Sequence, residues 1–217
     1  MLKRVAAILL ISVFALLPLA GCNSTRNGSS SVDSSSSIIT EDETLYTSSV
    51  GGFTFKVYSD YSAIVSYDAG SITEIVIQSE FGDKPLGRIL REAFAYERTL
   101  TKITVPEGVT VISEMAFTEC SSLKEIVLPS TLTEIGYGAF TYCSALENVV
   151  LPDSLVKLGS GAFRDCASLK SVTIPASVKS ISADIFSLSP AGFVIRGTAG
   201  SAAEDFAKAN GYTFEAI

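Results

Sequence analysis

The sequence has no histidine and no tryptophan among its 217 residues, and only 18% of its residues are charged. Histidine is the commonest general base and a common metal ligand, so its absence counts against most enzyme classes and against a metal site. The chain is also acidic, with a net charge of −7, and an acidic surface repels nucleic-acid phosphates. We therefore expect no catalytic residues, no cofactor, no metal and no nucleic-acid partner, although a glycosidase that uses two carboxylates is left open.

The amino-terminal apolar run is short for a membrane span. Val5–Leu17 has about 13 residues, where a spanning helix needs about 20, and it follows the basic residues Lys3 and Arg4. This arrangement is typical of a secretory signal peptide. We predict a signal peptide over residues 1–21.

The residues that close this segment, Leu19-Ala20-Gly21-Cys22, resemble the lipobox of bacterial lipoproteins. The resemblance implies cleavage before Cys22 and transfer of a diacylglyceryl group to its thiol. The protein would then be held by lipid on the outer face of a bacterial membrane. An ordinary secretory signal followed by an unrelated cysteine is the alternative. Residues 22–45 are rich in serine, have little to bury and are predicted to form a tether.

An apolar pattern with a 23-residue period dominates the rest of the chain. Four successive copies carry leucine, β-branched, proline and phenylalanine residues in phase, as in Leu100, Leu123, Leu146 and Leu169; Ile103, Ile126, Val149 and Val172; Pro106, Pro129, Pro152 and Pro175; Phe117, Phe140, Phe163 and Phe186. A degenerate earlier copy begins at Ile72 and contains a short insertion near residues 79–84. Such a period predicts a solenoid of five units over residues 72–190.

These units resemble the BspA-like class of bacterial leucine-rich repeat proteins, whose repeats read like Leu123-Lys124-Glu125-Ile126-Val127-Leu128-Pro129 followed by Ala139-Phe140 and Cys143. The fold class expected is therefore a leucine-rich-repeat solenoid of this type, with short stacked β-strands and short helical or 3₁₀ turns. Residues 46–71 are predicted to form an N-terminal β cap and residues 191–217 a C-terminal β-α-β cap. The resemblance also implies a binding or adhesion module.

The predicted terminal cap contains an amphipathic helix. Ser201 and Glu204 have the S-x-x-E spacing of a capping box, and Asn210-Gly211 is a helix stop. Three residues share one helical face, namely Ala203, Phe206 and Ala207. We expect this helix and its flanking strands to cover the last unit of the solenoid.

Three cysteines, Cys120, Cys143 and Cys166, are 23 residues apart, so stacking places them in one column. Their spacing is unlike that of a zinc site, and we expect each to be a small buried side chain beside a phenylalanine. Pairing of two neighbours in an oxidising compartment remains an alternative. Glu97 and Ser189 take this position in the terminal units, where we expect partial exposure to water.

Residues between the buried positions of each strand must point to the opposite side and so form rows across the stack. One row is mildly apolar and flat, which makes it the first candidate for a ligand surface: Thr104, Val127, Val150 and Thr173. A second row beside it is polar: Lys102, Glu125, Asn148 and Ser171. The alternative is that valine and threonine are present only for their strand propensity.

Tyr137 and Tyr142 are weaker candidates, at turn positions that vary between units. The corresponding residues elsewhere are Glu114 and Ser160, and Glu119 and Asp165. Tyrosine is common at binding hot spots, although turn tyrosines are often incidental.

Two functions fit these features. The first is a lipid-anchored cell-surface module that binds or adheres to a protein or a glycan. The second is a structural or scaffolding lipoprotein of the cell envelope.

Overall fold

The structure is a computed structural model in which residues 44–190 and 192–217 are described. The predicted signal peptide, Cys22 and nearly all of the predicted tether lie outside these residues. Within the described part, no helix is long and apolar enough to cross a membrane.

The N-terminal cap begins with an antiparallel hairpin, β1 (Tyr46–Val50) and β2 (Phe53–Val57), joined by Gly51 and Gly52. Both glycines have positive φ, which suits a tight hairpin turn. β3 (Ser62–Tyr67) pairs antiparallel with β2 on one side and parallel with the solenoid on the other. The third strand therefore couples the cap directly to the repeats.

Two columns of short parallel strands run through the solenoid. The first, called here the strand column, is formed by β4 (Glu74–Val76), β7 (Lys102–Thr104), β9 (Glu125–Val127), β11 (Asn148–Val150) and β13 (Ser171–Ile174). The second is formed by β6 (Lys84–Ile89), β8 (Val111–Ile112), β10 (Glu134–Ile135) and β12 (Lys157–Leu158), and it continues the sheet of the cap. Residues 23 apart are partners in the regular part of both columns, so the sequence period sets the strand register.

The insertion in the first unit forms β5 (Glu80–Phe81), which pairs antiparallel with the start of β6. Its Phe81 is buried, and its ring lies 5.2 Å from the ring of Phe53 and 4.9 Å from that of Phe55. The insertion therefore helps to close the N-terminal end of the core. Ile72, the proposed first apolar residue of this unit, is 48% exposed instead. Phe53 and Tyr67 of the cap contact the ring of Phe94 at this end of the core.

A stack of phenylalanine rings forms the centre of the core. Phe94, Phe117, Phe140, Phe163 and Phe186 are fully or almost fully buried, and the centroids of successive rings are 4.9, 5.2, 5.3 and 6.0 Å apart. The predicted inward-facing leucine, isoleucine and valine residues of the central units surround this stack. No single unit encloses its own phenylalanine, so stacking of neighbours is what buries it.

The return segment of each unit differs from the sequence expectation. The sequence predicts a short helical or 3₁₀ segment, whereas the structure has a run of hydrogen-bonded turns. In one unit the backbone amides of Phe117 and Glu119 donate hydrogen bonds to the carbonyls of Ala139 and Thr141 in the next unit. The amide of Thr118, between them, donates to the carbonyl of Met115 in its own unit. Because alternate amides bond to the next unit, the segment cannot satisfy the internal bonding of a helix.

The predicted β-α-β cap is present. β14 (Val194–Gly197) pairs parallel with β13, helix α1 (Ala202–Asn210) follows, and β15 (Thr213–Ala216) pairs parallel with β14. Gly211 ends the helix in the left-handed conformation, and the predicted apolar face of α1 is buried. The cap thus adds two strands to the strand column and covers the last phenylalanine with Phe193, Phe206 and Tyr212.

The predicted capping box is wrong in its bonding. Ser201 is the N-cap of α1, but its buried hydroxyl has no hydrogen-bond partner. The Glu204 carboxylate accepts a bond of 2.6 Å from the amide of Gly200 and pairs with Lys208 at 2.7 Å. The carboxylate therefore reaches one residue before the N-cap.

Candidate ligand-binding face of the strand column

The outward side of the strand column presents the predicted apolar row in register. Thr104 is paired with Val127, and Val150 is paired with Thr173. Val127 and Val150 are 42% and 67% exposed, whereas the two threonines are half-buried. The centre of this row is therefore an exposed, uncharged surface of methyl groups.

The apolar row extends one strand further than the sequence pattern predicts. β4 pairs with β7 so that Val76, which is 71% exposed, lies beside Thr104. The sequence also indicates this position for Val76, because Ile75-Val76-Ile77 aligns with Ile103-Thr104-Val105 once the insertion is skipped. At the other end, Arg196 and Glu215 of the cap occupy the next two positions of the row. They form an ion pair of 2.8 Å.

The polar row is only partly available to a ligand. Lys102 and Glu125 form an ion pair of 2.7 Å, and Asn148 is exposed. Ser171, expected on the open face, is only 6% exposed, so that part of the prediction is wrong. Its hydroxyl donates to Asn148 Oδ1 at 2.8 Å, and Arg196 from the cap reaches it at 3.4 Å, so these two longer side chains cover it.

A shallow groove of about 640 Å³ lies where the strand column changes sheet. The column divides between a three-stranded sheet that ends at β9 and a four-stranded sheet that begins at β11. Val127 and Val150 line this groove together with polar and acidic residues from the polar row and the following turns: Glu107, Glu125, Ser130, Asn148, Asp153 and Ser154. The candidate face thus combines an apolar floor with an acidic margin.

Local hydrogen bonds hold the charges at this margin. Glu107 accepts bonds of 2.9 Å from both the amide and the hydroxyl of Ser130, and these bonds lower the pKa of its carboxyl. The hydrogen bond with Glu125 raises the pKa of the Lys102 ammonium. These groups are therefore ionised at neutral pH, and the charge pattern is held in place across adjacent units.

The cysteine column is confirmed as buried. Cys120, Cys143 and Cys166 are completely buried free thiols, and each Sγ donates to the carbonyl of a phenylalanine, at 3.1, 3.1 and 3.3 Å respectively. Burial raises the pKa of Cys143 well above its ordinary value and that of Cys166 to about 12. A protonated, inaccessible thiol is suited to packing rather than to nucleophilic chemistry.

The N-terminal end of the cysteine column is a carboxyl group. Glu97 is half-buried and accepts a bond of 3.2 Å from the amide of Ala69. Desolvation, reinforced by the nearby negative charge of Asp68, raises the pKa of Glu97. Among the described residues there is no group of three or more aspartate, glutamate or cysteine side chains placed to hold a metal ion.

The structure separates the two candidate tyrosines. Tyr137 and Tyr142 are 48% and 49% exposed, but they occupy different repeat positions at the two ends of one turn run. Tyr142 shares its position with Tyr96 of the first unit, which is 59% exposed and which the sequence pattern did not single out. Tyr96 and Tyr142 are 46 residues apart, which is twice the repeat period, so the repeat pattern identifies Tyr96 as the equivalent of Tyr142.

Comparison with known proteins agrees with this geometry. The model of the BspA-type leucine-rich repeat region matches residues 65–192 in six copies. The chain belongs to the BspA-type leucine-rich repeat family. Its stacked strands, turn runs and phenylalanine column are thus the BspA-type repeat as this sequence forms it. No curated protein matches the chain.

Several solved structures resemble this BspA-type chain. A leucine-rich repeat protein from Bacteroides capillosus is 31% identical, with a TM-score of 0.53, and the match covers 58% of this chain and 96% of that protein. The T. pallidum leucine-rich repeat protein is 24% identical, with a TM-score of 0.50 and coverage of 78% and 98%. The pneumococcal vaccine antigen PcpA is 22% identical, with a TM-score of 0.61 and coverage of 79% and 47%. The last two likenesses concern the fold alone.

Proposed function

We propose that this protein is an exported, lipid-anchored binding module that captures a protein ligand on the outward face of its strand column. The single observation that carries the proposal is the exposed apolar row, whose central residues Val127 and Val150 line the groove. A solvated strand face would be expected to carry charge at these positions, and exposed apolar surface beside a polar margin is a common feature of interaction sites.

The chemistry of the face favours a polypeptide over a sugar. The exposed valines of its apolar row present methyl groups that a protein side chain can cover, and the residues that line the groove include no aromatic ring for a sugar to stack on. Glu107 and Asp153 at the margin favour a partner that carries basic side chains around an apolar centre. An extended, regular surface of this type is how solenoid proteins commonly bind.

The exported location is supported by the sequence of the amino terminus. A basic start, a short apolar run and Leu19-Ala20-Gly21-Cys22 together have the organisation of a lipoprotein signal. Non-enzymatic function is supported by the lack of histidine and by the absence of any reactive thiol in the cysteine column.

A protease-accessibility experiment on intact cells tests the location. We expect added protease to digest the folded domain without lysis, whereas a periplasmic control protein survives. Protection of the domain until lysis would instead favour the alternative of an envelope scaffold.

A binding screen tests the ligand. The full chain is immobilised and offered a panel of extracellular matrix proteins and a glycan panel. The proposal predicts saturable capture of at least one protein, weakened at high salt because the acidic margin contributes. Absence of any protein ligand in the panel and of any partner from the organism's own envelope would contradict it.

A further inference from the structure

A second surface with the features of a binding site lies along the turn runs. One repeat position, called here the turn-edge column, is occupied by Tyr96, Glu119, Tyr142, Asp165 and Leu188. All five have positive φ, between 57° and 67°. The backbone amide of each of the first four donates a hydrogen bond to a backbone carbonyl of the next unit. The same backbone conformation recurs, so the column presents successive side chains at regular intervals.

Two exposed aromatic rings are set at a fixed spacing in this column. Tyr96 and Tyr142 follow Phe94 and Phe140 by two residues, and the ring steps from Phe94 to Phe117 and from Phe117 to Phe140 are 4.9 and 5.2 Å. At about 5 Å per stacked unit, the two tyrosine positions are about 10 Å apart. Both side chains are about half exposed, and neither is part of the buried core.

The residue between the two tyrosines is polar and held in place. Glu119 forms an ion pair of 2.5 Å with Arg98. A shallow cavity of about 430 Å³ opens here, lined by this pair together with Ser121, Tyr142 and Ser144. The serines share the repeat position of Arg98, and Ser144 is fixed by a bond of 3.2 Å to the Ser121 carbonyl.

We propose that Tyr96, Tyr142 and the Arg98–Glu119 pair form a binding site for a neutral oligosaccharide with an extended, β-linked chain. The C–H face of a sugar ring stacks on an aromatic ring, and vicinal sugar hydroxyls bond in pairs to a planar carboxylate or guanidinium. In a β-1,4-linked chain every second ring presents the same face. Two tyrosines separated by two units, with a polar pair at the unit between them, match this alternation.

The charges around the site favour a neutral ligand. Glu119 and Arg98 cancel each other, and Asp165 of the next unit is paired with Arg164 at 3.4 Å. A strongly acidic or basic glycan would gain no net attraction at this surface. The site is formed by turn residues rather than by the valines of the strand column, so it is independent of the proposed protein-binding face.

The test is isothermal titration of the full chain with cellohexaose and chitohexaose, with α-linked maltohexaose for comparison. We expect saturable binding of at least one β-linked hexaose and weaker binding of maltohexaose. Tyr96→Ala with Tyr142→Ala should weaken that binding by at least about tenfold, and Tyr96→Phe with Tyr142→Phe should retain it, because the stacking face remains. The matched control is Tyr137→Ala, an equally exposed tyrosine at another repeat position, which should bind like the wild type.

Several results would overturn the proposal. These are no binding of either β-linked probe, full affinity in the double alanine variant, an equal loss in Tyr137→Ala, or maltohexaose binding as tight as that of the β-linked probes. A Val127→Lys, Val150→Lys variant should keep sugar affinity within about twofold, since it alters the other face. Failure at one surface is therefore distinguishable from failure at the other.

Discussion

At the scale of single residues, this protein is defined by columns in which one side chain recurs in each unit. The phenylalanine stack and the cysteine column are completely buried in the central units, and each thiol bonds to a carbonyl of a neighbouring unit. A change at one such position alters contacts with the units on both sides. The free energy of unfolding that such a substitution removes therefore depends on how deeply the side chain is buried between neighbouring units.

The cysteine column gives a prediction about thiol reactivity. In a Cys22→Ala background the three remaining thiols should resist maleimide at pH 8 in the native protein and react together once guanidinium unfolds it, because all three are completely buried. Burial also raises the pKa of Cys143 and Cys166, which disfavours their reactive thiolate forms. Peptide mapping by mass spectrometry reports each site. Rapid labelling of native Cys143 would show that the column faces water.

Stability measurements at the same position test the packing role. Cys143→Ala should cost about 1 kcal/mol through a small cavity and lost contacts, and Cys143→Asp should cost several times more because it buries a charge. Guanidinium unfolding measures both free energies. Equal, negligible losses would contradict the burial described for Cys143.

At the scale of elements, the sequence predicts strands better than turns. The 23-residue period sets which residues pair, so β7, β9, β11 and β13 and their outward rows follow from the repeat pattern alone. The turn conformation does not follow from that pattern, because residues such as Met115 and Tyr142 have positive φ, which side chains other than glycine rarely adopt, and their amides bond to the next unit. The same holds for Ser171, whose covering by Arg196 depends on where the terminal cap docks.

The close approach of two turn runs gives a prediction for one glycine. A Cβ on Gly159 would lie 2.5 Å from the amide nitrogen of Tyr137 in the preceding unit, so Gly159→Ala must push the units apart and should cost about 2 to 3 kcal/mol. The control is Gly161→Ala in the same turn run. It meets no atom closer than 3.9 Å, and the equivalent Met115 already has positive φ, so about 1 kcal/mol or less is expected. Chemical unfolding of both variants checks this order, and equal losses would refute the close approach.

At the scale of the whole molecule, repeat stacking makes one continuous core and two separate regular surfaces. The strand column presents a groove with an apolar floor and an acidic margin, and the turn-edge column presents tyrosines around an ion pair. The fold class and the apolar row could be predicted from the sequence. The groove could not, since it arises where the strand column divides between two sheets, and nothing in the repeat pattern marks that step.

The lipid anchor predicted at Cys22 would hold the whole molecule at the membrane. Cys22→Ala should abolish incorporation of labelled fatty acid and release the protein from the membrane fraction, since the acyl chains would be its membrane contact. Metabolic labelling and fractionation measure both effects. Cys143→Ala is the matched control and should keep full labelling, whereas unchanged labelling of the Cys22 variant would exclude the anchor.

The most direct test of the central claim compares ligand capture by three forms of the full chain. They are the wild type, Val127→Lys with Val150→Lys on the strand face, and Val50→Lys with Val156→Lys, two exposed valines outside that face. All should be folded, with stability changes below about 1 kcal/mol, since every substituted side chain is exposed. We expect the wild type and the control pair to capture the same protein with similar affinity and the face variant to capture none. A folded face variant that binds as tightly as the wild type would contradict it.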